Sequence, residues 1–253
     1  MSPVFPVPRP RQAIILAAGP GTRLRPLTDR APKCLLEIAG ETILARQLRQ
    51  LARAGTQEAA LVVGYRQEQV REHVARAAPS GMRIRWIENP DYEKTNTIYS
   101  LWLARETLAP ASAASEGDVV FFNGDVVCED GLVEALLSSP AGNVIAVDTS
   151  RRGTEEILVF AEGGRVRRIG KEVAAGEFIG LARFHFEFAR GLREALERRV
   201  EQGEVNLFFE SALDDLLRAR FEPQLHLLDI SPWGAMEVDT EQDLQAAREL
   251  FGV

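Results

Sequence analysis

The stretch AIILAAGPGTRLRPLTDRAPK, residues 13–33, carries six apolar residues into a turn with glycines at 19 and 21, then into three arginines and a lysine. A short run that is apolar throughout fits a strand buried on both faces. A strand that empties into Gly19, Gly21 and Thr22 presents backbone N–H groups with little side-chain cover, a concavity suited to phosphate oxygens. Arg23 and Arg25 add planar, permanently charged donors, and Lys33 adds a compact point charge. The spacing matches neither the P-loop pattern GxxxxGK[ST] nor the dinucleotide fingerprint GxGxxG.

The local cations stand out because the chain of 253 residues carries a formal net charge of −7. A general nucleic-acid surface is therefore not expected, and an anion site has to be a local concentration of charge. With 45% hydrophobic and 26% charged residues the composition is that of a globular protein. No apolar run reaches the ~20 residues of a membrane-spanning helix, and the start lacks the apolar core of a signal peptide, so a cytoplasmic protein without membrane insertion is expected. The two cysteines, Cys34 and Cys128, fit neither a metal-ligand spacing nor a disulfide framework and read as small core residues.

Outward from the opening strand, the pattern alternates. Helices are expected over 41–55, 67–77 and 95–108, and strands over 58–65, 82–88, 118–125 and 143–149. This rhythm predicts an α/β fold with a Rossmann-like, doubly wound, mostly parallel mixed sheet. Residues 155–186 break it with three short strand patterns and glycine turns, which predicts a small antiparallel β insertion. Helices over 187–201 and 207–219, a strand over 224–229 and a helix from Thr240 follow. Residues 1–11, with four prolines, read as an extended tail ahead of a single domain at 12–253.

The string LAAGPGTRLRPLTDRAPK (16–33) resembles, at every fixed position, the signature of the nucleotidyltransferase family that makes NDP-sugars and CDP-alcohols. The resemblance implies a Mg²⁺-dependent transfer of a nucleotide. Within it, backbone from Leu16, Ala17, Ala18 and Gly19 would contact base and ribose, Arg23 would hold the leaving phosphates, and Lys33 would meet the α-phosphate and the incoming oxygen. Asp125, after the strand VVFF, and Asp239, in MEVDT, each read in isolation as a turn or helix-cap residue; the family match makes them the Mg²⁺ ligands. Lys171 stands where related enzymes carry a lysine for the acceptor's phosphate.

NPDYEKTNTIYSLWLAR (89–105) resembles the branch containing phosphocholine and phosphonate cytidylyltransferases, which makes CTP the expected donor. Asn96, Thr97 and Ser100 would lie near cytosine or ribose, although Asn96 and Thr97 serve equally well as helix caps. For the acceptor's other end, Phe208, Phe209, Glu210, Trp233 and Glu237 offer aromatic faces and carboxylates for an ammonium group, with Phe209 the expected contact. One of the two phenylalanines is expected to face the core, at helical spacing with Leu213, Leu216 and Leu217. Glu237, two residues before Asp239 on a strand, shares its face. The segment DTSRRGTEE (148–156) lacks the tryptophans of the phosphocholine branch, and Arg151 and Arg152 fit an anionic acceptor there. The expectation is a cytidylyltransferase that joins CMP to a small phosphonate or phosphoalcohol, 2-aminoethylphosphonate-like or phosphocholine, and releases pyrophosphate. The alternatives are a sugar-1-phosphate nucleotidyltransferase and a non-catalytic nucleotide-binding module; oligomerisation is left open.

Overall fold

The opening run forms strand β1, Gln12–Ala17, with five of six residues buried. It belongs to a computed structural model that describes residues 12–109, 117–150, 157–171 and 176–252. The tail expected over 1–11, and Arg151 and Arg152, lie outside the described residues.

After three short 3-10 turns come a hairpin, β2 (Glu37–Ile38) and β3 (Glu41–Thr42), and helix α1 (Ile43–Arg53). Thr42 caps that helix by accepting from the Ala45 N–H at 3.2 Å. Then follow β4 (Glu58–Val63), α2 (Gln67–Ala77), β5 (Arg83–Glu88), α3 (Thr97–Leu103) and α4 (Arg105–Leu108). Next are β6 (Val119–Asn123), β7 (Val126–Cys128), α5 (Leu132–Ser138), β8 (Val144–Asp148), β9 (Leu158–Glu162), β10 (Arg165–Gly170) and β11 (Gly176–Phe184). The described chain closes with α6 (Phe186–Glu201), α7 (Glu210–Arg218), β12 (His226–Asp229), β13 (Ala235–Glu237) and α8 (Glu241–Phe251).

Nine strands form one sheet in the order β5-β4-β1-β6-β11-β8-β12-β10-β9. The pairs β5–β4, β4–β1, β1–β6 and β8–β12 are parallel, whereas β6–β11, β11–β8, β12–β10 and β10–β9 are antiparallel. A further antiparallel pairing joins β11 to β9, so the sheet is mixed, not mostly parallel. The three strands expected over 155–186 are present as β9, β10 and β11, with β9 antiparallel to both of the others, but they belong to the main sheet: β11 runs through its middle with all nine residues buried. A strand covered on both faces loses its apolar alternation, so its place in the sheet cannot be read from its pattern. The expected helix over 95–108 breaks at Ala104, and the one expected from 207 begins at Glu210.

Helices cover both faces. Ile14 and Leu16 of β1 join a core with residues of α3, α6 and α7, while Ala13, Ile15 and Ala17 join another with residues of α1, α2 and α5. Cys34 and Cys128 are free and buried in this second core, where burial pushes each thiol up to about 12. No helix among the described residues is long and apolar enough to cross a membrane.

Candidate active site

At the carboxyl ends of β1 and β6 the chain opens into a cleft of about 590 Å³, the place where open α/β sheets bind ligands. Its floor is shaped by two glycines. Gly21 has φ +59°, and a Cβ there would sit 3.0 Å from the Lys33 Cβ. The loop is closed by Thr28, whose hydroxyl donates to the Gly21 carbonyl at 2.8 Å, and Tyr65 donates to the Thr28 carbonyl at 2.8 Å. Gly124 packs on the end of β1: its N–H donates to the Leu16 carbonyl at 2.8 Å, and a Cβ would lie 2.6 Å from that oxygen. Only glycine lets the turn after β6 approach so closely, which delivers Asp125 beside the glycine turn that follows β1.

Asp239 arrives from the other end of the chain. β13 pairs with β7, Glu237 opposite Val126, and the Val238 N–H donates to the Asp125 carbonyl at 3.0 Å. The cap of α8 is Thr240, in a reciprocal box with Asp243, whose carboxylate also accepts from the Asp239 N–H at 3.1 Å. The Asp239 side chain is therefore free to face the cleft.

There the charges meet. The Lys33 ammonium lies 2.6 Å from Asp125 Oδ2 and also donates to Asp239 Oδ1; Arg23 reaches Asp239 Oδ2 at 2.7 Å. Burial alone would pull the Lys33 pKa down, but Asp125 and Asp239 outweigh it and hold the ammonium above its ordinary value. Burial likewise opposes ionisation of Asp239, yet Lys33 and Arg23 win and keep its carboxyl below the usual range. Asp125 Oδ1 is buried without a partner.

The expected nucleotide residues Leu16, Ala17, Ala18, Gly19, Gly21, Thr22, Asn96, Thr97 and Ser100 all border the same cleft. Three of them also have structural work. Asn96 Oδ1 accepts from the Thr97 N–H at 2.8 Å, Thr97 Oγ1 accepts from the Phe209 N–H at 3.0 Å, and buried Ser100 accepts from Asn89 at 3.1 Å. Asn89 was not singled out by the sequence. It sits at the exit of β5, buried, and also donates to Thr95 Oγ1 at 3.1 Å, pinning the turn to α3; an asparagine just past a strand is the only signal that marks it. Tyr92, Asn123 and Phe208 border the cleft as well.

At the acceptor end, the structure separates four expected residues. Glu210 and Glu237 line the cleft; Phe209 and Trp233 do not. Phe209 is fully buried, its ring centroid 4.5 Å from that of Phe121, because α7 starts at Glu210 and turns it into the core. Its neighbour Phe208 is the exposed one, and Lys171 Nζ stands 5.1 Å from its ring centroid. Trp233 lies half-buried beside Gly131 and packs on the second core. Burial pushes the Glu210 carboxyl up to about 8, and its Oε2 has no partner. Glu237 is raised by burial and then by repulsion from Asp125 and Asp239, with Asn123 Nδ2 donating to it at 3.2 Å.

Residues 13–214 match the family model described as the MobA-like NTP transferase domain; Glu237 and Asp239 lie beyond that range. Over 157 residues, 62% of the chain, it is 40% identical to the CMP-5'-(3-aminopropyl)phosphonate synthase of Streptomyces rubellomurinus, of whose length it spans 24%. It is 26% identical over 95% of its length to the choline-phosphate cytidylyltransferase of Streptococcus pneumoniae, covering 98% of that protein. The solved structure of a CTP:phosphocholine cytidylyltransferase from Streptococcus pneumoniae superposes with a TM-score of 0.77 over 95% of this chain and 99% of that one, at 24% identity, a likeness of fold.

Proposed function

The chain belongs to the MobA-like NTP transferase domain family, and from that premise we propose that residues 12–253 form one catalytic unit that transfers CMP from CTP to a small aminated phosphonate or phosphoalcohol. The observation that carries this reading is the meeting of Lys33 with Asp125 and Asp239 at the mouth of the glycine turn. The choice of cytidine draws on the likeness to two proteins named for CMP or cytidylyl transfer.

In the reaction, an anionic oxygen of the acceptor forms a bond to the α-phosphorus of CTP, and the bond from that phosphorus to the β-bridging oxygen breaks, releasing pyrophosphate. Two anions have to approach, so positioning and charge neutralisation supply most of the catalysis. Backbone around Gly19, Gly21 and Thr22 cradles phosphate, Arg23 holds the leaving pyrophosphoryl group, and Lys33 orients the α-phosphate and the attacking oxygen. Lys171, near Phe208, meets the acceptor's phosphoryl group.

The family uses divalent metal ions, and the donor set here fits one. Asp125 and Asp239 are hard oxygen donors, and Asp125 Oδ1 is buried and unsatisfied. Among the described residues no group of three or more His, Cys, Asp or Glu converges as a metal site, so phosphate oxygens and water would complete the shell, as Mg²⁺ prefers. When bound, Mg²⁺ supplies Lewis-acid polarisation and charge neutralisation.

Glu210 and Glu237, both close enough to Asp125 to feel its charge, form no salt bridge with lysine or arginine among the described residues. A cationic group on the acceptor would supply the missing partner, which supports an amino-bearing substrate. Pyrophosphate release should occur with CTP, and not with ATP, GTP or UTP, when 2-aminoethylphosphonate or phosphocholine is present. Turnover confined to glucose 1-phosphate would reject this reading.

A further inference from the structure

We propose that Lys33 is a placeholder cation: in the nucleotide-free protein its ammonium occupies the carboxylate oxygens needed to hold a divalent ion, so the ion is accepted only together with the nucleotide. The inference rests on the reading above and concerns the order in which the site fills.

Of the four carboxylate oxygens on Asp125 and Asp239, three already face a cation: Lys33 takes Asp125 Oδ2 and Asp239 Oδ1, and Arg23 takes Asp239 Oδ2. The fourth, Asp125 Oδ1, is buried. Lys33's side chain is 15% exposed, so its charge is poorly screened, and an ion sharing the same oxygens would be repelled at contact range. Without nucleotide the ammonium is also required. Removing it would leave two carboxylates facing each other, with Glu237 close behind.

The lysine has somewhere else to go. Its stem lies against Gly21, with Cβ and Cδ within 3.3 Å of where a Cβ on that glycine would stand. Lys33 therefore sits between the phosphate loop and the carboxylates. An incoming phosphate offers the ammonium a new anionic partner on the loop side and brings oxygen ligands of its own. Lys33 then moves from carboxylate to phosphate as those oxygens become available, and free metal alone cannot drive that exchange.

Mn²⁺ titration, with free ion counted by electron paramagnetic resonance and no nucleotide present, reads this directly. Lys33→Met should bind Mn²⁺ roughly tenfold or more tightly than the wild type, within the ordinary range of coupling between sites, and Asp125→Asn in that background should remove the gain. Equal affinity in wild type and Lys33→Met, or a gain that survives Asp125→Asn, overturns the proposal. Should Lys33→Met fail to fold, the wild type answers alone. Its melting temperature should be insensitive to Mn²⁺, and should rise when Mn²⁺ is added to protein saturated with a non-hydrolysable CTP analogue. An equal rise without the analogue overturns the proposal. These titrations need no turnover, so failure of the pyrophosphate-release assay is a separate result that bears on the functional reading alone.

Discussion

Gly21 leaves no room for a side chain beside Lys33: a Cβ added to the glycine would stand 3.0 Å from the lysine's own Cβ, and the glycine holds φ +59°. Gly21→Ala therefore meets both a left-handed backbone, costing about 1–2 kcal/mol, and a displaced lysine. The expected outcome is a fall in kcat of about a hundredfold, the scale of an ångström-level misplacement, with only a modest drop in thermal stability. Near-wild-type kcat would show that the lysine's position is not set by this contact.

Lys33→Ala and Asp125→Ala should each reduce turnover by about a thousandfold or more, as for loss of one preorganised charge in a closed site. Far-ultraviolet circular dichroism should remain that of the wild type. Steady-state pyrophosphate release on both variants is the measurement.

Phe208 and Phe209 should part company on substitution. Phe209→Ala empties a core position against Phe121 and Phe178 and is expected to cost about 3–5 kcal/mol in chemical denaturation. Phe208→Ala, at an exposed position beside Lys171, should leave stability within about 0.5 kcal/mol and raise the KM for the acceptor.

Glu210 sets a pH dependence. Its carboxyl titrates near 8 in the folded chain and near 4.5 when unfolded, so between those values the native state holds a proton that the unfolded state has lost. The Glu210 contribution to stability then declines as pH rises through that window and is flat outside it. Glu210→Gln removes that contribution, so the variant should gain in melting temperature relative to wild type, and by more at pH 9 than at pH 5.

The same group links acceptor binding to pH. An ammonium docking beside Glu210 favours the ionised carboxylate, so a proton leaves when the acceptor binds below about pH 8. The acceptor KM of the wild type should fall from pH 6 to pH 8.5. In Glu210→Gln it should be higher and flat over that range; a parallel slope would remove Glu210 from the acceptor pocket.

The strand, the glycine turn and the cations that follow were legible because their information is local: a strand, two glycines and fixed basic positions lie within one short stretch. The turn that carries Asp125 was legible for the same reason, but its candidacy as a metal ligand came only from the family resemblance, since by itself it reads as a turn or cap residue. The bringing together of Asp125 and Asp239 depends instead on the β7–β13 pairing, which two three-residue strands do not announce. The choice between Phe208 and Phe209 turned on where α7 begins, since shifting a helix start by one residue swings a side chain by about 100°. Trp233 misled because a tryptophan near a carboxylate in sequence carries no information about which core it joins. The central place of β11 was hidden because strand order follows from tertiary packing, not from periodicity.

The tie between the Val238 N–H and the Asp125 carbonyl has a bearing on biosynthesis. The glycine turn and Lys33 leave the ribosome early, but the Asp239 carboxylate that meets Lys33 comes only after β13. With the roles proposed above, a nascent or truncated polypeptide ending before Asp239 should hold the turn and Lys33 and yet be inert, so that competence to react would be acquired late in translation.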